Sequence, residues 1–521
     1  MTRTQQAPGS LSALLAEPEL EYGTTPIEFV SQDGRYTTTM SAIRERARRL
    51  AAGLRARGVG PGDAVSMQFP LSEDAVVAQL AAVLLGAVLV PVVPVFGPRE
   101  VEQVFRITRP VAHLTQGRWR KFDYLTGIAQ IAPGLRPALV VAGGRSASAT
   151  PDVALEWSEV ESADPLEHPA HVDEDAASLI IFTSGSTGAP KGAQHTPRSM
   201  LAEALDVGYR LGVPDDELSF LYTSGAGHIA GYVYPLRILV RGMRCIVLDG
   251  WDARLAARIV DRDKPSVMAG LPFHVVSMLD AAAAEGLDLS SLRMASIGGA
   301  PVSASLVRRA DAAGIPIVKS YGLTELPTAV LGDVADPVEV RAAAIGRPSG
   351  GNQVRIVDEA GDEVAQGERG EIQLRGPEMF SGYLGIPPEQ TFTPDGWFPT
   401  GDIGLLDAEG RLVIIDRKKN IIIRGGENLS ATEIEEIVGT HPGVVEAAVI
   451  GVPDDRYGER ACAYVVLAPG ASLTIPELIE HFVRQGASKQ KVPEYLEFVE
   501  ALPRTATGKL RKTDLPLPAR L

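Results

Sequence analysis

The chain has 521 residues, with 50 Lys and Arg against 65 Asp and Glu, a net charge of −15, 45% hydrophobic residues and 22% charged ones. That length and composition exclude disorder over most of the chain and imply several packed units. The acidic balance disfavours nonspecific binding to nucleic acid or to an anionic membrane, although a local basic cluster can still hold a small polyanion.

The opening MTRTQQAPGS lacks the apolar core of a secretory signal. The greasiest stretch, Ala75 to Phe96, is interrupted by Gln79, Gly86, Pro91 and Pro94 and is preceded by acidic residues. A membrane span needs about 20 continuous apolar residues, so the pattern predicts a buried helix to Leu85, a stop at Gly86 and then a buried strand. Between residues 35 and 350, helical patterns alternate with short apolar runs: Ala64–Met67, Val88–Val90, Leu179–Phe182, Cys245–Leu248 and Ile315–Val318. Such alternation indicates parallel sheets covered by helices. After Gly346-Arg347-Pro348 the texture changes to short strands and Gly-rich turns, at Gln353–Val357, Glu371–Leu374 and Leu412–Ile415. A charged break, Asp416-Arg417-Lys418-Lys419-Asn420, precedes a final segment with a helix at Thr432–Val438 and strands at Ala447–Ile450 and Ala463–Val466. The two cysteines, Cys245 and Cys462, have no metal-ligand spacing, which argues against a disulfide framework or a zinc site and suits a reducing cytoplasm.

The sharpest local signal is Thr183-Ser184-Gly185-Ser186-Thr187-Gly188-Ala189-Pro190-Lys191-Gly192, directly after an apolar strand. Glycines let backbone N–H groups approach an anion, hydroxyls add donors and Lys191 adds charge, so the loop suits a polyphosphate. Lys191 is followed by glycine, and the G-x-x-x-x-G-K spacing of P-loop NTPases is absent. A serine hydrolase is opposed by the lack of a G-x-S-x-G elbow.

With that loop, Gly298-Gly299-Ala300-Pro301, Ser320-Tyr321-Gly322-Leu323-Thr324-Glu325, Gly396-Trp397-Phe398-Pro399-Thr400-Gly401-Asp402 and Pro503-Arg504-Thr505-Ala506-Thr507-Gly508-Lys509 following in order, the chain resembles the adenylate-forming superfamily. This superfamily includes acyl-CoA synthetases, the adenylation domains of nonribosomal peptide synthetases and firefly luciferase. The resemblance covers residues 30–515. It implies a large N-terminal domain over 1–416, built of helix-covered α/β sheets with a small β-rich subdomain near 346–416, a hinge at 417–420 and a small mobile α+β domain over 421–521.

The resemblance also implies roles. ATP and AMP are held by Thr183 to Gly188, Lys191, the Gly299-Ala300-Pro301 turn, Ser320, Tyr321, Gly322 and Thr324, with the aromatic ring on the adenine; Glu325 holds Mg²⁺, a hard cation that takes carboxylate oxygen. Asp402 and Arg417 take the ribose, a carboxylate being able to accept two hydrogen bonds from a diol. Lys419 is the hinge, and Lys509 enters the first-step site, where a cation stabilises the charge that builds at the α-phosphate. Arg424-Gly425-Gly426-Glu427-Asn428 resembles the loop lining the pantetheine tunnel, which assigns Gly425, Gly426 and Glu427 to coenzyme A. In the next segment Ala431 stands where the family usually has proline, with Ser430 or Thr432 available to cap the helix.

Ser224 to Tyr232 is similar to the segment beside the acyl pocket, so Gly227, His228 and Gly231 join Gly299 and Gly322 around the acid, with His228 gating or orienting the carboxylate. The acid is already ionised at neutral pH, so no proton transfer is required of His228. The small side chains from Gly225 to Gly231 suggest a roomy apolar pocket. The implied enzyme is a cytoplasmic carboxylic acid–CoA ligase using Mg²⁺, ATP and coenzyme A, without nucleic acid or stable membrane association, and with a homodimer left open. Gln194-His195-Thr196, Gly299-Ala300-Pro301-Val302-Ser303 and Glu325-Leu326-Pro327-Thr328 look most like bacterial ligases of the cyclohexanecarboxylate–CoA type. A carrier-protein phosphopantetheine is the alternative acceptor.

Overall fold

The computed structural model describes residues 10–31, 34–143, 154–183, 190–206, 217–223, 225–424, 427–454, 457–485, 487, 491–504 and 510–518. By internal contacts the chain divides into two units: Met1–Gln353 with Leu374–Phe398, and Val354–Gln373 with Pro399–Leu521.

Two sheets build the first unit. Among the described residues one has nine strands, and its central strands Ile317–Tyr321, Met294–Ile297, Val267–Gly270, Ser219–Tyr222, Arg244–Leu248 and Pro26–Ser31 run parallel. The other has eight, ordered Gly382–Tyr383, Lys191–His195, Leu179–Thr183, Val88–Pro91, Ala64–Gln68, Ala112–Thr115, Leu139–Ala142 and Leu155–Glu156. Its first three strands are joined antiparallel and the rest parallel. Near-continuous apolar runs are what strands buried on both faces require. Leu89 belongs to one core together with Leu80, Leu50 and Val247, whereas Val88 and Val90 face a second core with Phe105 and Leu125.

The greasy stretch is the expected pair of elements. A helix over Glu73–Leu85 starts under the Ser72 hydroxyl, which accepts from the Ala75 N–H at 3.3 Å, and ends at Gly86 with φ 66°. A Cβ on Gly86 would meet Val172 Cγ1 at 2.3 Å, so both conformation and space demand glycine. Almost every face of this helix is buried, which accounts for its missing polar stripe. Among the described residues, no helix is long and apolar enough to cross a membrane. Cys245 and Cys462 are buried, unpaired strand residues.

The second unit holds most of a four-stranded sheet, Gln353–Val357, Gly370–Arg375, Phe398–Leu406 and Leu412–Arg417, and a five-stranded one built on Ile421–Arg424, Glu427–Ser430, Val444–Asp454, Gly458–Leu467 and Tyr495–Phe498. The helices Ala431–Gly439 and Ile475–Arg484 contribute Ile434, Val438, Leu478 and Phe482 to its core. By contacts Val354–Gln373 and residues 399–416 of the β-rich segment group with the C-terminal residues, while Leu374–Phe398 groups with the first unit; the sequence reading puts the whole segment inside a 1–416 domain. One specific tie runs between the β-rich and the C-terminal residues. Buried Asp416 accepts from the Ser430 hydroxyl at 2.7 Å, the Thr432 N–H at 2.9 Å and the Thr432 hydroxyl at 3.1 Å, bridging the 3₁₀ turn Lys418–Asn420. Ser430 is the helix cap, accepting from the Glu433 N–H at 3.1 Å.

Candidate active site

In the first unit, the segment 184–189 with Ser184, Gly185, Ser186, Thr187 and Gly188 lies outside the described residues, and a strand stands on either side of it. Thr183 ends one and Lys191 begins the next, paired antiparallel in register. The Lys191 ammonium stands 5.2 Å above the Tyr383 ring and makes no ion pair among the described residues.

The Ser320–Glu325 block begins earlier than its apolar pattern implies, with Ser320 and Tyr321 as the last two residues of the strand. Gly322 then lets the chain fold back: a Cβ there would lie 1.8 Å from the Pro327 carbonyl oxygen. Leu323 N–H bonds the Leu326 carbonyl at 2.9 Å, so Thr324 and Glu325 occupy the tip of a closed turn.

Three supports hold that turn. The first is His195, fully buried, whose Nε2 lies 2.7 Å from the Thr324 carbonyl oxygen. A carbonyl only accepts, so Nε2 carries the proton and Nδ1 accepts from the Ser199 hydroxyl at 3.2 Å. Burial pushes the imidazole down to about 4, which keeps it neutral. The second is Tyr383, whose hydroxyl donates to the Glu325 carboxylate, while the neighbouring Phe380 N–H bonds the Glu325 carbonyl at 2.9 Å. The third is a buried polar knot behind Thr328. Its N–H donates to Glu378 at 3.1 Å, its hydroxyl to Glu203 at 3.0 Å, and its carbonyl accepts from Ser349 at 2.8 Å and Asn352 at 3.1 Å. Arg237 pairs with Glu203. Burial, then the neighbouring Glu203, holds the Glu378 carboxyl far above the ordinary range, so it keeps its proton.

Around the proposed acid site the structure corrects one inference. The space beside Gly227 and Gly231 is not open: a Cβ on Gly227 would meet the Val93 backbone at 2.4 Å, and one on Gly231 the Gly225 carbonyl oxygen at 2.2 Å. Gly322 is filled by Pro327 in the same way. These glycines serve close chain approach, so all they offer a ligand is backbone. Gly299, with φ 72°, follows the Met294–Ile297 strand and precedes Ala300 and Pro301. His228 caps the helix Ile229–Arg241, its carbonyl accepting from the Tyr232 N–H at 3.2 Å.

In the second unit Asp402 and Arg417, fifteen residues apart, are cross-strand partners. Arg417 Nε lies 2.8 Å from Asp402 Oδ1, with the aspartate buried and the arginine half-exposed. Lys419 lies in the 3₁₀ turn, and Glu427 begins the Glu427–Ser430 strand. Gly425, Gly426 and Lys509, and the side chains of Lys419 and Glu427, lie outside the described residues.

Sequence reasoning missed Tyr383, and it used His195 only as a mark of subgroup. Among the described residues no three His, Cys, Asp or Glu side chains gather as a metal cage. A single buried carboxylate on a turn fits Mg²⁺, which is bound through one or two carboxylates plus substrate phosphates. Glu325 is the residue that would hold it.

The model of the AMP-binding enzyme family matches residues 22–384, and that of the AMP-binding enzyme C-terminal domain matches 433–509. The chain belongs to the AMP-binding enzyme family. It is 31% identical over 484 residues to the medium-chain fatty-acid–CoA ligase of Escherichia coli, covering 91% of this chain and 84% of that one. It is 33% identical over 490 residues to a feruloyl-CoA synthase of Amycolatopsis, covering 92% and 94%. The crystal structure of ATP-bound MatB from Rhodopseudomonas palustris superposes with a TM-score of 0.84 at 26% identity, covering 96% of this chain and 98% of that one. This AMP-binding enzyme is an ATP-dependent carboxylic acid–CoA ligase, forming an acyl-adenylate and pyrophosphate and then acyl-CoA and AMP, with Mg²⁺, ATP and coenzyme A as its small-molecule requirements.

Proposed function

We propose that the ligase activates a hydrophobic carboxylic acid, fatty, aromatic, alicyclic or polycyclic, and that the braced Thr324–Glu325 turn facing the Lys191 stem is the first-step centre. The observation that carries the reading is that turn: a hydroxyl and a carboxylate held rigidly, with a lysine on the same tyrosine ring. Preorganised charges aimed at a reacting phosphate need no rearrangement at the moment of attack. Lys191, the 183–188 loop and Thr324 take the phosphates and Glu325 takes Mg²⁺. Tyr321, Ser320 and the Gly299-Ala300-Pro301 turn hold the adenosine, and Asp402 with Arg417 the ribose. His228 orients the acid. Lys509 serves adenylation, after which rotation about Lys419 admits the CoA thiol past Gly425, Gly426 and Glu427. The bond made first is acid oxygen to α-phosphorus, with pyrophosphate leaving; the thiol then displaces AMP from the acyl carbon.

The acyl substrate is read as hydrophobic from the relatives, one named for medium-chain fatty acids and one for ferulic acid. The resemblance of Gln194-His195-Thr196 to cyclohexanecarboxylate-type ligases narrows the first choice to ring-bearing acids. We read it as a cytoplasmic enzyme independent of nucleic acid and membrane anchors, and light scattering decides between monomer and homodimer.

The test is mass spectrometry on purified protein with Mg·ATP and pooled aromatic, alicyclic, fatty and polycyclic acids, with and without CoA. Acyl-CoA of one acid class is the expected product. Acyl-AMP that accumulates and ignores CoA would transfer the acceptor role to a carrier protein. Lys509→Ala should lower acyl-AMP formation by about 10²–10³-fold while thioester formation from supplied acyl-AMP persists. Equal loss in both half-reactions would remove the assigned role.

A further inference from the structure

Tyr383 lies on a two-residue strand, Gly382–Tyr383, paired with the strand that begins at Lys191; Ala193 faces Tyr383 and Gln194 faces Gly382. Ser381 N–H to the Gln194 carbonyl and Leu384 N–H to the Gly192 carbonyl, both at 2.8 Å, fasten the two sides of this short strand. The Tyr383 ring packs edge-on against Phe380 with centroids 4.9 Å apart. From that fixed seat it makes two contacts of opposite sign: its face carries the Lys191 ammonium at 5.2 Å, and its hydroxyl donates to the Glu325 carboxylate.

We propose that Tyr383 is a positioning residue that orients the Glu325 carboxylate for Mg²⁺ and keeps the Lys191 charge for phosphate. A carboxylate offers about four lone-pair sites. A rigid donor on one of them fixes the carboxylate plane and thereby selects the edge presented to a cation. Holding the lysine through its ring face, a cation–π contact of about 0.5–2 kcal/mol in general, leaves all three ammonium protons available. The register explains why one residue can do this: the strand that starts at Lys191 also delivers, two positions on, the residue paired with Tyr383.

This inference rests on the reading of Glu325 as the carboxylate that holds Mg²⁺, and the experiment separates the two. ATP binding to the full-length protein is titrated calorimetrically in Mg²⁺ and in EDTA, and Mn²⁺ binding to the protein–ATP complex is followed by electron paramagnetic resonance. Tyr383→Phe keeps the ring and the lysine contact and removes only the hydroxyl. It should leave metal-free ATP affinity within about twofold, and weaken Mg·ATP and Mn²⁺ binding about tenfold, the size of one hydrogen bond to a charged group. An unchanged metal-dependent gain overturns the proposal. So does an equal fall with and without metal, which would mark a merely structural residue. Glu325→Gln is the companion. If it abolishes the metal-dependent gain, the Glu325 reading stands and Tyr383→Phe is decisive; if it leaves the gain intact, Glu325 is not the ligand and both readings fall.

Discussion

The Thr324–Glu325 turn and the Asp402–Arg417 pair are both read as nucleotide contacts, yet they are held in opposite ways. The turn is fixed by uncharged donors, a neutral imidazole and a phenol, with a protonated acid in the polar knot behind it. Removing any one strands a buried polar atom, which typically costs about 1–3 kcal/mol. Asp402 is held by a guanidinium that is half in water. That half-exposed partner can be approached from water by a ligand whose hydroxyls donate to the carboxylate in its place. One region is built to arrive preformed, and the other to trade its partner.

The contrast can be broken most directly at His195. His195→Ala should lower acyl-AMP formation about hundredfold and destabilise the first unit by about 1–3 kcal/mol, because the Thr324 carbonyl loses its side-chain donor in a buried setting. Steady-state kinetics and denaturant melts read the two effects, and near-normal adenylation would show that the turn holds its shape unaided. Asp402→Asn should raise the KM for ATP about tenfold by removing a charged acceptor for the ribose diol, while shifting stability by less than about 1 kcal/mol. A large loss of stability with unchanged KM would reverse the assignment and make this pair the structural one.

The smallest effect concerns pH. The folded-state pKa of Glu378 is raised, so the stability it contributes is complete below its unfolded value and is lost as pH rises toward the folded one. Glu378→Gln keeps the shape and the donor but cannot ionise. Between pH 6 and 9 the wild-type Tm should fall ~1–2 °C more than that of the variant, the response expected for about 1 kcal/mol in a unit of more than 350 residues. Parallel pH profiles would mean that the acid pair is not what holds the knot.

Much of this site was legible in the chain. The apolar strand before Thr183, the hydroxyl–carboxylate block at Ser320–Glu325 and the helix that stops at Gly86 are local patterns; the first and last occupy their expected elements, and the block sits at its strand end, with the strand running three residues past its apolar run to Tyr321. The supports were not legible. His195 reaches a carbonyl 129 residues away and Tyr383 a carboxylate 58 residues away, and no spacing rule encodes contacts made by sheet register. Glycines misled for a related reason. A sequence shows that a side chain is missing at Gly227, Gly231 and Gly322, but not that neighbouring backbone already fills the gap. The tie from Asp416 to Ser430 and Thr432 was hidden too, because its bonds close across fourteen and sixteen residues.

Those bonds bear on how the ligase would change pose. Asp416 sits before the Lys418–Asn420 turn and grips Ser430 and Thr432 after it. On the proposed pivot at Lys419, a turn would have to release three bonds to one buried carboxylate. Such a joint would act as a detent rather than a bearing, and detents give two-position devices. Dwell time in each position would then be set by a local release event, separate from the chemistry at the phosphate.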